Sequence, residues 1–336
     1  MKKIALITGI FGQDAAYLAE YLLDLGYEVH GLARSFSSNN NWRLKYLGID
    51  HDIEIYHGDI TDHSCIMELV SAVMPDEIYN LAAQSSVGAS KDDPYNTMKV
   101  NIMGCLNILE AIKKVQNLKK IKMFQAGSSE IEDYEGAYRP ENIYGVSKLS
   151  AYFSVKMYRR DYNIFACNGI LFGHESPLRD LRFVSRKISH GVAAISCGVR
   201  AAIEVGNIRI KREFGFAGDY VKAMHGMLQL DEPRDFEIGV GKAHSIKEFI
   251  EEAFRVVNIN IEWGKESGFP AGYNKGTGER VIETKEELFR VNDDEESLTP
   301  YTKYAKEALG WEATTKFNEL VKMMVEDDVR RIKSAS

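Results

Sequence analysis

A short apolar run, Ile4-Ala5-Leu6-Ile7-Thr8, opens directly into Gly9-Ile10-Phe11-Gly12-Gln13-Asp14, and this junction restricts the fold more than any other part of the chain. Glycines at 9 and 12 let the backbone turn tightly and approach a pyrophosphate, which then rests on the N-terminus of the helix that follows. Leu18, Tyr21, Leu22 and Leu25 recur at helical spacing, and Gly26 stands where a helix stops. Ala15 occupies the place where a third glycine is often found, a packing position that tolerates alanine. A plain strand-to-helix turn would need neither glycine, so the motif predicts the first βα unit of a dinucleotide-binding sheet.

The alternation continues. Glu28–Leu32, Ile53–Tyr56, Glu77–Leu81 and Lys122–Ala126 read as further strands, each separated from the next by enough residues for a crossover helix. That rhythm predicts an α/β fold, a Rossmann-type doubly wound parallel sheet with helices on both faces. Past residue 173 the pattern changes. The stretch 174–210 is richer in arginine, Phe236-Glu237-Ile238-Gly239 reads as one more strand, and Ser245-Ile246-Lys247-Glu248 forms a capping box that starts a helix. The expected division is residues 1–173 with about 212–242 as the dinucleotide-binding domain. About 174–211 and 243–336 then form a smaller α/β lobe, with a substrate cleft between the two. Asp293–Glu296 reads as a solvated acidic turn.

Composition sets the class of partner. A formal charge of −7 argues against nucleic acid or an anionic membrane. The lysines at 113, 114, 119, 120 and 122 read as a solvated helix end and the loop after it. Cys65, Cys105, Cys167 and Cys197 have no metal-ligand spacing, and Cys105 and Cys167 lie in apolar stretches as small core residues. No metal is expected. The N-terminal run is too short for a signal peptide and no apolar stretch is long enough to span a bilayer, so the expectation is a cytoplasmic enzyme.

Two further motifs carry chemistry. Tyr144-Gly145-Val146-Ser147-Lys148 puts a phenol and an ammonium on one face of a helix. Tyrosine is a poor base at its reference pKa of about 10, but a cationic Lys148 favours the phenolate, so Tyr144 can take a hydroxyl proton while hydride leaves the same carbon. Ser128, just past the Lys122–Ala126 strand, is placed to hold that hydroxyl and the developing carbonyl. Glu130, two residues on, has no role in simple alcohol oxidation. Beside a new ketone, however, a carboxylate can abstract the acidified C–H and then help to expel a hydroxyl one carbon further on, which is dehydration by β-elimination.

Cofactor choice turns on the end of the second strand. An NAD site usually offers an acid there for the ribose 2′-hydroxyl, whereas a 2′-phosphate wants arginine. The chain reads Leu32-Ala33-Arg34-Ser35, which favours NADP held by Arg34. Asp59, in His57-Gly58-Asp59-Ile60, ends the third strand within reach of the adenine; its alternative role is a helix N-cap.

On these residues the chain resembles the extended short-chain dehydrogenase/reductases, and among them the GDP-mannose 4,6-dehydratases. The likeness runs nearly end to end, through Pro75-Asp76-Glu77-Ile78-Tyr79-Asn80-Leu81, Ala166-Cys167-Asn168-Gly169-Ile170-Leu171-Phe172, His174-Glu175-Ser176-Pro177 and Phe183-Val184-Ser185-Arg186-Lys187. The resemblance implies a catalytic set of Ser128, Glu130, Tyr144 and Lys148, with Ser128-Ser129-Glu130 matching the family's Thr-Ser-Glu. It implies cofactor contacts from Gly9, Phe11, Gly12, Gln13, Asp14, Arg34, Asp59, Ile60, Leu81, Ala83, Tyr144 and Lys148. For a GDP-sugar it implies contacts from Ser85, Ser129, Glu175, Val184, Lys187, Arg212 and Arg290, with Lys187 and the Val184 backbone at guanine and the two arginines at the diphosphate or the nearby nucleotide. A homodimer or homotetramer is implied as well, paired through helices that include Met103–Ile112 and Ser147–Tyr158.

The chain also departs from that family. Arg212-Glu213-Phe214-Gly215-Phe216 stands for Arg-Asp-Trp-Gly-His, and Phe289-Arg290-Val291-Asn292-Asp293 for the usual Arg-Pro-x-Glu. Gly173 replaces an asparagine, Ser35 replaces a second arginine, and the loop from Glu130 to Tyr144 is shorter. The reading is therefore a GDP-sugar 4,6-dehydratase whose hexose is GDP-mannose or a close relative such as a GDP-manno-heptose. A nucleotide-sugar reductase or epimerase is the second reading and a silent sugar-binding subunit the third. A reductase or epimerase needs no carboxylate after Ser128, so Glu130 separates it from the first, and the intact set of Ser128, Glu130, Tyr144 and Lys148 speaks against a silent subunit.

Overall fold

The computed structural model describes residues 2–34, 38–132, 137–266, 268–289 and 298–335. Ser35, Arg290 and the acidic 293–296 stretch lie outside them. The chain divides into two compact units, the first of residues 1–172, 217–238 and 300–312, the second of 173–216, 239–299 and 313–336.

In the first unit, strands β1 (Ile4–Thr8), β2 (Glu28–Ala33), β3 (Ile53–His57), β4 (Glu77–Asn80), β5 (Lys122–Ala126), β6 (Ala166–Leu171) and β7 (Phe236–Ile238) form one sheet in the order β7-β6-β5-β4-β1-β2-β3. Every pairing is parallel. The reversal of order between β1 and β4 leaves the carboxyl ends of these strands as the place where a ligand sits in such a sheet. Strands that are covered on both faces become continuous apolar runs, which is why β1 and β6 are almost wholly buried.

Helices α1 (Gln13–Asp24), α2 (His63–Val73), α3 (Gly104–Val115), α4 (Ile143–Tyr162) and α5 (Ala217–Leu228) cover the sheet. Helix α1 packs with α5, and α2 packs with α3, which in turn meets α4. One apolar cluster joins Ile66, Leu69 and Val70 of α2, Ile108, Leu109 and Ile112 of α3, and Ala151 and Val155 of α4 to Leu6, Ile78 and Met123 of the sheet. Cys105 and Cys167 are fully buried and unpaired.

The lysines at the end of α3 are not merely solvated. Lys119 pairs with Asp76 at 2.8 Å, and Lys122 donates to the carbonyls of Leu228 and Leu230. The segment 300–312, expected in the smaller lobe, belongs to the first unit instead. Tyr304 stacks on Phe236 of β7, and the Trp311 indole donates to the Asp219 carbonyl. The first unit also takes up 217–238 rather than about 212–242.

The second unit has its own core. A four-stranded sheet of Ile261–Glu266, Phe269–Asn274, Arg280–Thr284 and Ile203–Val205 accompanies helices Val184–Ser196, Ile246–Val256 and Phe317–Ala335. The Ser245–Glu248 capping box is formed, with both reciprocal bonds present. Between the helices a buried Arg186–Asp328 ion pair is completed by the Ser189 hydroxyl. Among the described residues no helix is long and apolar enough to cross a membrane, and no group of three His, Cys, Asp or Glu side chains is placed to hold a metal.

Candidate active site

The glycine turn is built as its sequence requires. Gly9 has φ +70°, and a Cβ there would come within 2.9 Å of the Ala82 Cα, so neither the conformation nor the space admits a side chain. The Gly9 amide bonds the Leu32 carbonyl, and the Gly12 amide closes the turn onto the Gly9 carbonyl at 2.8 Å. Gly12 is the N-cap of α1, with no side chain accepting the first helical amides. A glycine cradle against Leu81 and Ala82, facing an uncapped helix N-terminus, fits a dinucleotide pyrophosphate. Gln13 donates to Asp14, and the Phe11 carbonyl is held by Arg43.

A chain of hydrogen bonds runs across the carboxyl ends of β1, β4 and β5. The Thr8 hydroxyl donates to Asn80, the Asn80 amide to Gln125, and the Gln125 amide to the Ala126 carbonyl. The Ala82 amide donates back to the Thr8 hydroxyl. The Lys148 ammonium then donates to that same Ala126 carbonyl at 2.8 Å. Asn80 and Gln125 were not foreseen from the sequence, and only their place at the ends of apolar runs hints at them.

Helix α4 carries Tyr144 and Lys148, both buried. It starts at Asn142, whose side-chain oxygen accepts the Gly145 amide. Asn101, also unforeseen and buried, donates to the Ser147 hydroxyl, which donates to the Tyr144 carbonyl. The Lys148 ammonium lies 5.7 Å from the Tyr144 ring centroid. Burial pushes Lys148 down to about 8, against the opposing pull of Cys105 and Asp14. Ser128 follows β5, is buried, and its hydroxyl accepts the Glu130 amide as the cap of a short turn over Ser129–Ile131. The Glu130 carboxylate accepts from the Asn142 side-chain amide at 2.7 Å. Ser128, Glu130, Tyr144 and Lys148 are thus tied to one strand end and one helix start.

Of the residues expected near the adenosine, Arg34 is exposed just past β2. Burial raises the Asp59 carboxyl, but hydrogen bonds from Thr61 and the charges of Arg34 and Lys99 outweigh it and hold it below the usual range. The N-cap of α2 is Asp62, not Asp59. Ile60 is buried and its carbonyl accepts from Asn107. Leu81 and Ala83 follow β4, half-buried, and Ser85 is exposed.

The other expected sugar-nucleotide residues lie in the second unit. Glu175 is buried and paired with Arg179 at 3.1 Å. Val184 begins its helix, and burial lowers Lys187, with Glu204 and Arg200 acting in opposite senses. Arg212 stands opposite His244 where Lys211–Glu213 pairs with Ala243–Ser245. Glu213 is buried and accepts the Val240 and Gly241 amides; burial drives it up to about 7 despite those bonds. A Cβ at Gly173 would overlap the Glu213 carbonyl oxygen.

A doubly wound parallel sheet, a glycine turn at its first strand, and a serine, tyrosine and lysine at the ends of β5 and α4 define a protein of the short-chain dehydrogenase/reductase class. Solved structures share that fold. A dTDP-glucose 4,6-dehydratase from Bacillus anthracis in complex with NAD superposes with a TM-score of 0.78 at 16% identity, covering 98% of each chain. RMD from Pseudomonas aeruginosa complexed with NADPH gives 0.76 at 19% identity, covering 98% of this chain and all of that one. The GDP-mannose 4,6 dehydratase family model matches residues 6–324. The GDP-mannose 4,6 dehydratase of Dictyostelium discoideum is 41% identical over 99% of this chain and 98% of its own length. The chain belongs to the GDP-mannose 4,6-dehydratase family.

Proposed function

We propose that the protein removes water from GDP-mannose, or a close relative such as a GDP-manno-heptose, to give the 4-keto-6-deoxy sugar. One observation carries the reading: the Glu130 carboxylate is hydrogen-bonded to the cap of the helix that bears Tyr144 and Lys148. That geometry couples an acid/base carboxylate to an alcohol-oxidising pair, an arrangement that a reductase or epimerase does not require.

NADP is the dinucleotide this reading assigns, with the glycine turn from Gly9 to Gly12 on its pyrophosphate, Arg34 on its 2′-phosphate and Asp59 near its adenine. What it supplies when bound is reversible storage of the hydride that leaves C4 and returns at C6. Tyr144 takes the C4 hydroxyl proton, with Lys148 favouring the phenolate. Ser128 donates to the C4 oxygen as it becomes a carbonyl. Glu130 then takes the C5 proton, and the C6 hydroxyl departs as water with a proton that Glu130 delivers. As the hydride returns to C6, C5 takes a proton from solvent and Tyr144 releases to solvent the one it took from the C4 hydroxyl, which restores the phenolate. The balance is the loss of one water.

In the second unit Lys187 and Val184 are assigned to guanine and Arg212 to the diphosphate; Arg290, outside the described residues, completes the clamp in this reading. Ser85, Ser129 and Glu175 are assigned to the sugar. The oligomer in this reading is a cytoplasmic homodimer at least, paired through α3 and α4.

The test is incubation with GDP-, CDP- and UDP-sugars, scoring loss of one water by mass spectrometry. Only GDP-mannose or its close relative should react. Glu130→Gln should then cut turnover by about two orders of magnitude or more, while C4 oxidation survives in part. Near wild-type dehydration by Glu130→Gln would remove the carboxylate from the mechanism.

A further inference from the structure

Asn142 makes two bonds with one side chain. Its oxygen accepts the Gly145 amide at 2.8 Å, which caps α4, and its nitrogen donates to the Glu130 carboxylate at 2.7 Å. A backbone N–H can only donate, so the first bond fixes which end of the amide is oxygen and the second is necessarily a donor aimed at Glu130. A second restraint acts at the same place. Gly145 presents no Cβ, and the Glu130 backbone carbonyl occupies the space that one would fill, with the Pro140 Cβ within 2.9 Å of it as well.

Glu130 lies within a short turn whose side-chain cap, Ser128, binds only its amide. Nothing in that turn sets the direction of the carboxylate. Asn142 does, and it does so from the residue that also fixes the first turn of the helix carrying Tyr144, two positions on. The group that takes the C5 proton and the group that takes the C4 hydroxyl proton are thereby referred to one side chain.

We propose that Asn142 is a positioning residue for the elimination step: it holds the Glu130 carboxylate toward C5 and leaves the C4 oxidation to Tyr144 and Lys148. This rests on the dehydratase reading above. It separates the two roles of Asn142, because the cap serves the whole helix while the donor serves only Glu130.

Two substitutions divide those roles. Asn142→Gly removes the donor, and glycine is tolerated at an N-cap almost as well as asparagine. Asn142→Asp keeps the cap acceptor and replaces the donor with a second carboxylate facing Glu130. With GDP-mannose and the NADP-loaded enzyme in deuterated water, three quantities are read: C4 oxidation in a single turnover from nicotinamide absorbance, deuterium entry at C5, and the melting temperature. Removing a hydrogen bond to a charged group predicts a fall of about 10- to 100-fold in C5 exchange and water loss in both variants, with C4 oxidation within about twofold of wild type and KM unchanged.

Two results would overturn the proposal. C5 exchange at the wild-type rate in both variants, with Glu130→Gln inactive in exchange, would leave the dehydratase reading intact and remove Asn142 from it. A parallel fall of C4 oxidation, C5 exchange and melting temperature would make Asn142 a helix cap alone. Wild-type exchange in Glu130→Gln would instead strike at the dehydratase reading itself, and this inference with it.

Discussion

The Lys148 ammonium donates to the carbonyl oxygen of Ala126, the last residue of β5, at 2.8 Å. That bond ties the second turn of α4 to the strand that delivers Ser128 two residues later. The same oxygen accepts from Gln125, the end of the hydrogen-bond chain that begins at Thr8 beside the glycine turn. The glycine turn and Lys148 are therefore joined by one thread of hydrogen bonds.

Burial lowers Lys148 to about 8 from 10.5, which has a defined sign for stability. The unfolded chain binds more protons at this site between pH 8 and 10.5, so stability rises with pH across that window, and below it the cost of burying the charge is borne in full. Lys148→Met should therefore raise the melting temperature at pH 7, by a gain on the order of 3 kcal/mol at most, while turnover collapses. The gain should shrink as the pH is taken from 8 toward 10. Ala126 keeps its bond from Gln125, so the variant leaves no bare carbonyl. In the wild type, kcat/KM should fall on the alkaline side as Lys148 loses its charge near pH 8. Calorimetry across pH and a pH–rate profile check both; a variant less stable at every pH would contradict the account.

If Arg34 holds a 2′-phosphate as proposed, the sign of its charge selects the dinucleotide. Arg34→Ala should weaken NADP binding by roughly 10- to 100-fold, the worth of a charge-assisted hydrogen bond, and leave NAD unaffected. Titration of the two dinucleotides by calorimetry measures the ratio directly. Equal losses for both would mean that Arg34 serves the turn rather than the phosphate.

Helix α4 exposes Phe153 and Met157, 43% and 52% accessible, and Met103 just before α3 is 45% accessible. Side chains of this size are costly to leave in water, and they sit on the helices expected to pair two copies. Light scattering at micromolar concentration should report a dimer or larger. Phe153→Glu with Met157→Glu should shift it toward monomer, since burying two carboxylates against their symmetry mates is unfavourable. A monomeric wild type would dismiss the pairing.

What the sequence made legible, and what it hid, follows from where each partner lies. Buried parallel strands are continuous apolar runs, so β1 and β5 can be read to the residue, and the turn at Gly9 announces itself because its φ and its contact with Ala82 exclude other residues. Tyr144 and Lys148 are legible because four residues on a helix is one face. Asn80, Gln125, Asn101 and Asn142 were not, because a polar side chain carries no mark of a partner 45 positions away, as Gln125 is from Asn80. The placement of 300–312 in the first unit was hidden for the same reason, since Tyr304 and Trp311 find Phe236 and Asp219 only in three dimensions.

Gly145 offers a test in which local propensity and packing predict opposite signs. It lies in the first turn of α4, where alanine would ordinarily be favoured over glycine by about 1 kcal/mol. Here a Cβ would overlap the Glu130 carbonyl oxygen and come within 2.9 Å of the Pro140 Cβ. The first neighbour is backbone and the second is a ring, so neither can rotate away. Overpacking costs roughly 1–3 kcal/mol, and a clash with backbone stands at the upper end of that range, so after the helix gain of about 1 kcal/mol the net should be destabilising by up to about 2 kcal/mol, a fall of roughly 2–4 °C in melting temperature per kcal/mol. The relief available to the chain is to push the Glu130 segment off the helix, which lengthens the Asn142 bond as well. Gly145→Ala should therefore lose C5 deuterium exchange more steeply than C4 oxidation, because Tyr144 and Lys148 remain anchored through Ser147 and Ala126. An alanine variant as stable as the wild type with unchanged exchange would show that the carbonyl of Glu130 does not rest against the helix as described.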